Sequence, residues 1–313
     1  MNRGKPRIRR RCAEVPSTVG LVLSAGGARG AYQLGCWKAF ITRGISFSAV
    51  AGSSIGALNG ALVCQGDWEA AYRLWLELTR ISSVNLNYRK LAKLIAGAAG
   101  DMGLLLLPVP NLGWLRAIKY ASTVAKFASR HGTLGVLLKN GLFSMSGIKP
   151  VLKRHLDMTE VMARPMPLFV TVCGEPRAAS PLGPSHWFHI QNQDEEDAWD
   201  YLTASMSVPF IFSPVRVRGE YYSDGGIGNW LPVAPLYENG IRNMIVVSTK
   251  ANTTCKARDY PKSTIIVIRP QKPLGRFPVA TFRFTEKAVE NWMNEGYEDA
   301  MRVLDREGGQ LGL

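Results

Sequence analysis

The sequence has few cysteines and histidines, and none of them stands at the spacing of a metal site. Its five cysteines, at positions 12, 36, 64, 173 and 255, are odd in number and widely separated, with no CxxC or Cys/His pair. A zinc centre needs closely spaced thiolates and imidazoles, and a disulfide framework needs an even set of cysteines. The sequence therefore predicts neither a metal site nor disulfides, and it favours free thiols in a reducing compartment.

A long uninterrupted apolar run is also missing. The most apolar window, residues 91–110, is broken by Lys93, Asp101, Pro108 and several glycines, which makes it too interrupted to span a bilayer. The basic N-terminus is not followed by an apolar stretch of signal-peptide length. We therefore expect a cytoplasmic protein without a transmembrane helix, which could contact a membrane only from its surface.

Acidic residues are scarce relative to basic ones. The chain has 38 Lys and Arg against 24 Asp and Glu, a formal charge of +14. The excess is uneven, because the first dozen residues are strongly basic and residues 80–160 hold twelve Lys and Arg against three Asp and Glu. Such a charge indicates an anionic partner, either nucleic acid, an acidic lipid surface or a phosphorylated substrate, although a basic solubilising surface is the alternative. Residues 1–16 are predicted to be a disordered basic tail.

Short apolar runs alternate with segments of helical periodicity along most of the chain. Such alternation is typical of an α/β fold whose parallel sheet has right-handed crossovers. Strands are predicted at 18–24, 47–51, 167–173, 186–190, 215–222, 244–248 and 264–268, and helices at 31–43, 55–64, 68–80, 194–206 and 285–304.

The segment 81–149 departs from this alternation, because it is basic and apolar and has no strand signal. Four of its cations recur at helical spacing, namely Arg116, Lys119, Lys126 and Arg130. A basic amphipathic helix can lie on an anionic membrane surface, although an ordinary surface helix with a core-facing stripe has the same pattern. We interpret 81–149 as a basic helical insertion, a candidate lid and membrane-facing surface, within a single domain over 17–307.

A serine lies between two glycines at a predicted strand-to-helix turn. Gly52-Ser53-Ser54-Ile55-Gly56 follows one strand and begins one helix, which is the context that a GxSxG nucleophile elbow requires. The glycines Gly52 and Gly56 permit a sharp turn, and Ser54 would stand near the positive end of the following helix. The alternative is an ordinary helix start at which one of the serines is the N-cap.

The first strand ends in a glycine loop, Gly26-Gly27-Ala28-Arg29-Gly30. A dinucleotide site is disfavoured, because Ala25 occupies the first glycine position and the second strand ends in the serine turn rather than an acid. A Walker A motif is excluded because Gly-Lys-Ser/Thr is missing. Since adjacent parallel strands end about 5 Å apart, the N–H groups of Gly26, Gly27 and Ala28 would face Ser54 as an oxyanion hole.

A serine nucleophile also needs a base. The four histidines are His131, His155, His186 and His189, and none of them stands at a glycine-flanked turn. Asp224 does, because it ends a predicted strand and is followed by Gly225 and Gly226. A carboxylate in partly dry surroundings can accept the serine proton, whereas an Asp-Gly turn more often binds its own backbone.

Together these motifs resemble the patatin-like phospholipase family. The resemblance is carried by residues 24–32 (SAGGARGAY), 52–56 (GSSIG), 204–212 (ASMSVPFIF) and 224–233, in which Asp-Gly-Gly is followed by Leu-Pro-Val. It spans about residues 18–305. Two positions depart from the family pattern, since Ala25 replaces a usual glycine and Trp230 stands where the family often has an asparagine.

The resemblance implies a three-layer α/β/α fold with a mainly parallel central sheet, and a lipid acyl hydrolase with no cofactor or metal. By position, Ser54 would be the nucleophile and Asp224 the base. The oxyanion loop would comprise Gly26, Gly27 and Ala28, supported by Arg29, and the elbow and dyad-turn glycines would be Gly52, Gly56, Gly225 and Gly226.

The expected substrate is a phospholipid or another acyl-ester lipid, with peripheral contact to an anionic membrane. A transacylase or a thioesterase on the same fold is the alternative. A non-enzymatic lipid-binding or nucleic-acid-binding module is disfavoured, and nucleic acid is not expected as a partner because only the charge suggests it.

Overall fold

The structure is a computed structural model that describes residues 19–85, 145, 148–175, 183–209, 212–255, 257–275 and 279–313. The predicted tail 1–16 and most of the predicted insertion 81–149 lie outside these residues. The described strands are β1 (Val19–Leu23), β2 (Ala49–Ser53), β3 (Leu168–Gly174), β4 (Ser185–His189), β5 (Val215–Val217), β6 (Glu220–Asp224), β7 (Asn243–Val247) and β8 (Thr264–Ile268). The longer helices are α1 (Ala31–Thr42), α2 (Ile55–Gln65), α3 (Trp68–Asn85), α4 (Glu195–Ser205) and α5 (Glu286–Glu307), and short helices lie at Lys149–Lys153, Met158–Ala163, Gly225–Gly228 and Ala234–Glu238.

The strands form one sheet in which hydrogen-bonded pairing runs β5-β6-β3-β2-β1-β7-β8, and β4 pairs with β3 as well. Five neighbouring strands are parallel, namely β3, β2, β1, β7 and β8. Strands β4, β5 and β6 add antiparallel pairs. The prediction of a mainly parallel α/β sheet is confirmed. Because β1 lies between β2 and β7, the loops that follow β1 and β2 meet at the same edge of the sheet.

Both faces of the sheet are covered by helices and loops. Leu21 and Leu23 of β1 belong to the larger apolar core, which includes residues of α1, α2, α3 and α5. Val22, between them, faces a second core that includes Leu236 of the short helix Ala234–Glu238. Burial on both faces explains why the parallel strands are continuous apolar runs rather than alternating ones.

Helices α1 and α5 pack unusually closely. A Cβ on Gly35 of α1 would lie 1.8 Å from the carbonyl oxygen of Met293, and one on Gly296 of α5 would lie 2.0 Å from that of Tyr32. The two glycines therefore let the backbones of the helices touch. This contact fixes α1 and, with it, the glycine loop from which α1 begins.

The prediction of one strand over 215–222 is wrong, because the structure has a tight hairpin there. Arg218 (φ 49°) and Gly219 (φ 89°) both adopt left-handed backbone conformations, as the two central residues of a type I′ turn must. They join β5 to β6, which pair antiparallel. The hairpin turns the chain back so that β6 runs along β3 and ends at Asp224. The other predicted strands and helices of the described residues are confirmed, with ends that shift by a few residues.

Candidate active site

Ser54 lies in a strained turn between β2 and α2. Its backbone has φ 55° and ψ −125°, a region that residues other than glycine rarely adopt. The flanking glycines make this turn possible. A Cβ on Gly52 would lie 2.3 Å from the carbonyl oxygen of Gly56, and one on Gly56 would lie 2.4 Å from that of Leu23. The turn therefore requires both glycines, and it holds the serine at the carboxyl end of the sheet.

Strand β3 brings Asp224 next to this serine. Ser53, the last residue of β2, is the partner of Thr171, and Asp224 is the partner of Val172, the next residue of β3. Strand β4 pairs with residues 169–173 of β3, so it occupies one edge of β3. Strands β2 and β6 lie one after the other along the opposite edge, with β2 beside the first part of β3 and β6 beside its last three residues. The Ser54 hydroxyl donates a hydrogen bond of 2.6 Å to Asp224 Oδ2. The structure thus brings together two residues that are 170 positions apart in the chain.

The carboxyl of Asp224 is buried and hydrogen-bonded. It is 4% exposed, its Oδ1 accepts a 2.6 Å hydrogen bond from the Gly226 amide, and its own amide donates to the carbonyl of Ser207. Burial raises the pKa of Asp224 to about 6, while the hydrogen bonds from Ser54 and Gly226 act in the opposite direction. A carboxylate with this pKa is ionised at neutral pH and basic enough to accept a proton from a hydroxyl in a transition state.

Gly225 and Gly226 keep the turn after Asp224 free of side chains. A Cβ on Gly225 would lie 2.0 Å from the carbonyl oxygen of Thr171, and one on Gly226 would lie 2.5 Å from the Ala25 Cβ and 3.8 Å from the Ser54 Cβ. Gly226 therefore fills the space between the serine turn and the start of the glycine loop. The three segments predicted to form one site do meet at one place.

The glycine loop begins at this place, because a Cβ on Gly226 would lie 2.5 Å from the Ala25 Cβ. Gly27 has φ 58°, and its Cβ, if present, would lie 2.3 Å from the carbonyl oxygen of Thr281. The loop continues into a 3₁₀ helix over Gly27–Gly30, and the first N–H groups of a helix have no partner within it. The amides of Gly26, Gly27 and Ala28 can therefore donate to an oxygen atom that carries developing negative charge.

Side chains from distant segments hold the loop in shape. Arg29 Nε donates to the carbonyl oxygen of Gly26 at 3.1 Å, and its Nη2 donates to Thr281 Oγ1 at 3.2 Å. Thr249 Oγ1 donates to the carbonyl oxygen of Ala25 at 2.7 Å. The amide of Ala25 donates to the carbonyl oxygen of Trp230 at 2.9 Å, so this amide is already used and is not a further oxyanion donor.

Ser205 is a site residue that the sequence reasoning did not single out. Its hydroxyl accepts a 2.9 Å hydrogen bond from the amide of Ser54 and donates a 2.7 Å bond to the carbonyl oxygen of Thr171. The hydroxyl thereby satisfies a buried amide in the strained turn. It lies in the stretch 204–212, which carries part of the family resemblance, but no spacing rule connects it to Ser54. Thr249 was missed for the same reason.

The histidines do not complete this site within the described residues. His155 Nε2 lies 2.6 Å from Glu77 Oε2, and His186 and His189 lie on β4, while His131 is outside the described residues. No described histidine has a hydrogen bond to Ser54 or Asp224. Across the described ranges, no group of three or more His, Cys, Asp or Glu side chains could hold a metal ion. In the same ranges, none of the helices has both the length and the apolar character of a membrane-spanning helix.

Curated relatives share parts of this chain. The lysophospholipase NTE1 of Cryptococcus neoformans var. neoformans serotype D is 26% identical over 255 residues, which cover 82% of this chain and 12% of that protein. The neuropathy target esterase sws of Drosophila sechellia is 35% identical over 109 residues, or 30% of this chain and 7% of that protein. The chain thus spans about an eighth or less of the length of these relatives.

A solved structure and a family model also match. The structure of VipD from Legionella pneumophila aligns with a TM-score of 0.46 at 16% identity, over 93% of this chain and 67% of that one. The family model described as patatin-like phospholipase matches residues 21–237, a range that includes the glycine loop, Ser54 and Asp224. Since this match takes in more than half of the sequence, the chain belongs to the patatin-like phospholipase family.

Proposed function

We propose that this protein hydrolyses the acyl esters of membrane lipids, with Ser54 as nucleophile and Asp224 as base. The observation that carries the proposal is the 2.6 Å hydrogen bond from the Ser54 hydroxyl to a buried carboxylate. Family membership and the names of the relatives, lysophospholipase and esterase, support this reaction class.

Acylation begins when Ser54 Oγ attacks the ester carbonyl carbon and forms a tetrahedral intermediate. Asp224 accepts the hydroxyl proton as the Oγ–C bond forms, and the carbonyl oxygen gains negative charge. The amides of Gly26, Gly27 and Ala28 donate hydrogen bonds to that oxygen. When the C–O bond to the alcohol breaks, the proton on Asp224 passes to the leaving alkoxide, and the acyl group remains on Ser54.

In deacylation, water is the nucleophile and Ser54 is the leaving group. Asp224, again ionised, accepts a proton from a water molecule whose oxygen attacks the acyl carbon. The tetrahedral intermediate collapses, the bond between the acyl carbon and Ser54 Oγ breaks, and Asp224 returns the proton to the serine. A fatty acid is released, and neither step requires a metal or a cofactor.

The first experiment compares variants on a defined phospholipid or lysophospholipid. Ser54→Ala should lower kcat by several orders of magnitude, because no nucleophile remains. Ser53→Ala is the matched control, since Ser53 is the adjacent buried serine and its hydroxyl has no hydrogen-bond partner among the described residues. We expect Ser53→Ala to keep wild-type activity. Full hydrolysis by both Ser54→Ala and Asp224→Asn would contradict the proposed dyad.

Product identification separates hydrolysis from transfer. With a lipid labelled in its acyl chain, a hydrolase releases labelled free fatty acid. Label in a new acyl-acceptor lipid would instead indicate a transacylase, and faster turnover of acyl thioesters than of oxygen esters would indicate a thioesterase. Intact binding to lipid vesicles without any ester cleavage would indicate that the protein is a non-enzymatic lipid-binding module.

We also propose that the basic segment 81–149 makes peripheral contact with an anionic membrane. The support is its charge and the helical spacing of Arg116, Lys119, Lys126 and Arg130. Each cation close to an anionic leaflet contributes about 1 kcal/mol of binding. Replacing these four residues with glutamine should therefore weaken flotation with phosphatidylserine vesicles and leave turnover of a short, monomeric ester unchanged. Equal flotation of wild type and variant would contradict this proposal.

A further inference from the structure

Two cations lie beside the glycine loop and share one aromatic ring. Lys250 Nζ lies 3.5 Å from the centre of the Trp230 ring, and Arg29 Cζ lies 5.7 Å from it. Trp230 is one of the two positions that depart from the family pattern. Both cations therefore contact the face of one aromatic ring rather than a carboxylate.

These cations belong to the wall of the proposed oxyanion site. Lys250 directly follows Thr249, which hydrogen-bonds to the Ala25 carbonyl at 2.7 Å and leaves no room for a Cβ on Gly26. Arg29 is 7% exposed and donates to the Gly26 carbonyl, whereas Lys250 is open to solvent on one side. The ammonium of Lys250 can therefore meet a ligand that enters the site.

Their charge is not compensated within the described part of the chain. None of the described ion pairs includes Arg29 or Lys250. Partial burial of the ammonium, and then repulsion from Arg29, lowers the pKa of Lys250 to about 8. Two like charges held in one place raise the free energy of the empty site, and a bound anion would lower it.

We propose that Lys250, whose charge adds to that of the buried Arg29, binds the phosphate of a lipid headgroup, which makes Lys250 a specificity-determining residue for phosphate-bearing lipids. This inference rests on the proposed hydrolase function. In a glycerophospholipid the phosphate is separated from the acyl ester only by glycerol carbons, so a phosphate beside a bound ester would come within reach of a long cationic side chain next to the oxyanion loop. Charge-assisted hydrogen bonds from Lys and Arg are the usual recognition of phosphate.

The test uses two soluble substrates that differ only in the phosphate, hexanoylglycerol 3-phosphate and hexanoylglycerol. Lys250→Gln should lower kcat/KM for the phosphate substrate about tenfold, mainly through KM, as for the loss of one charge-assisted hydrogen bond. The preference for the phosphate substrate over hexanoylglycerol should fall by the same factor. Lys250→Arg should restore most of that preference.

Lys38 offers a matched control, because its Nζ lies 4.9 Å from the centre of the Trp68 ring. Trp68 begins α3 just beyond the far end of α2, so the length of that 11-residue helix, about 16 Å, separates it from Ser54. Lys38→Gln should leave both substrates unaffected. An equal loss on both substrates in Lys250→Gln, or no loss on either, would overturn the assignment.

A binding arm distinguishes failure of this inference from failure of the hydrolase proposal. Ser54→Ala should bind hexanoylglycerol 3-phosphate about tenfold more tightly than Ser54→Ala/Lys250→Gln does, as measured by calorimetry. This result supports the phosphate subsite even if the wild type hydrolyses neither substrate. Equally tight binding of inorganic phosphate alone would indicate a free-anion site and overturn the headgroup assignment.

Discussion

Replacement of Asp224 by asparagine should stabilise the fold at neutral pH while it removes the proposed base. Asp224 is almost fully buried, and burial raises its pKa from 3.8 to about 6. Asparagine resembles the protonated acid in shape and is never charged. Its oxygen can still accept the hydrogen bond from Gly226, and its amide can donate to the Ser54 hydroxyl.

The size of the effect follows from the pKa difference between the folded and unfolded chains. One pKa unit corresponds to about 1.4 kcal/mol, so a difference of about two units corresponds to about 3 kcal/mol. Well below the unfolded pKa of 3.8 the carboxyl is protonated in both states, so it makes no difference to the free energy of unfolding. Between about pH 4 and pH 6 the folded state retains a proton that the unfolded state has released, so the free energy of unfolding of the wild type falls as the pH rises.

Urea denaturation of wild type and Asp224→Asn at half-unit steps from pH 4 to pH 7.5 measures this difference. Contributions from other titrating groups cancel when the two free energies of unfolding are subtracted. The advantage of the variant should be smallest at pH 4, should grow as the pH rises and should level off above pH 6. Asp224→Ala should show the same pH dependence but lie about 1–3 kcal/mol lower throughout, because it leaves the Gly226 amide unpaired.

A difference that does not change with pH would refute the reasoning, because it would mean that the carboxyl has the same pKa in both states. A variant that becomes less stable relative to wild type as the pH rises would show that the pKa is lowered in the folded state. In either case burial would not be the dominant effect on this carboxyl.

Three further predictions concern the dyad, its turn and its support. For a neutral ester, kcat/KM should fall about tenfold from pH 7 to pH 5, because Asp224 must be ionised to accept the proton and its pKa is about 6; a flat profile would contradict its role as base. Gly56→Ala should lower the free energy of unfolding by 3 kcal/mol or more, roughly the upper range for overpacking, as measured by denaturant titration, because the new Cβ meets a carbonyl at 2.4 Å. The control Gly309→Ala, whose Cβ meets nothing within 4 Å, should change it by less than about 0.5 kcal/mol. Ser205→Ala should lower kcat roughly tenfold and destabilise the fold by about 1–3 kcal/mol, because it leaves the amide of Ser54 buried without an acceptor; an unchanged kcat and melting temperature would show that the turn does not need this bond.

The elements of the fold that were predictable are those set by local sequence. The strand at 264–268 is found with the predicted bounds, because an unbroken apolar run bounded by polar residues has few other solutions. The hairpin at Arg218 and Gly219 was missed, because the hydrophobic alternation of 215–222 continues across it. Alternation indicates which face of the sheet a residue occupies, but it does not indicate where the chain reverses. The reversal depends on the left-handed backbone conformation of these two residues.

The same distinction applies to the site. Ser54 and the turn glycines were predictable because a glycine at a strand-to-helix turn is a local requirement that the sequence states directly. Asp224 was predictable only as a second such turn, and its 2.6 Å contact with Ser54 depends on how β2 and β6 share an edge of β3. Ser205 has no local signature at all, since a serine near a helix end is common.

The strain at Ser54 and the burial of Asp224 both work against folding, and the contacts around them explain how the structure retains both. The serine turn is fixed by the backbone packing of Gly52 and Gly56 and by the Ser205 hydroxyl, while Asp224 receives two hydrogen bonds in compensation for its lost hydration. Two of these supports come from outside the serine turn, namely the Ser205 hydroxyl at the end of α4 and the Gly226 amide in the turn after β6. Substitutions that relieve the strain or remove the buried charge should therefore stabilise the chain and weaken catalysis together, as expected where a local cost is maintained by function.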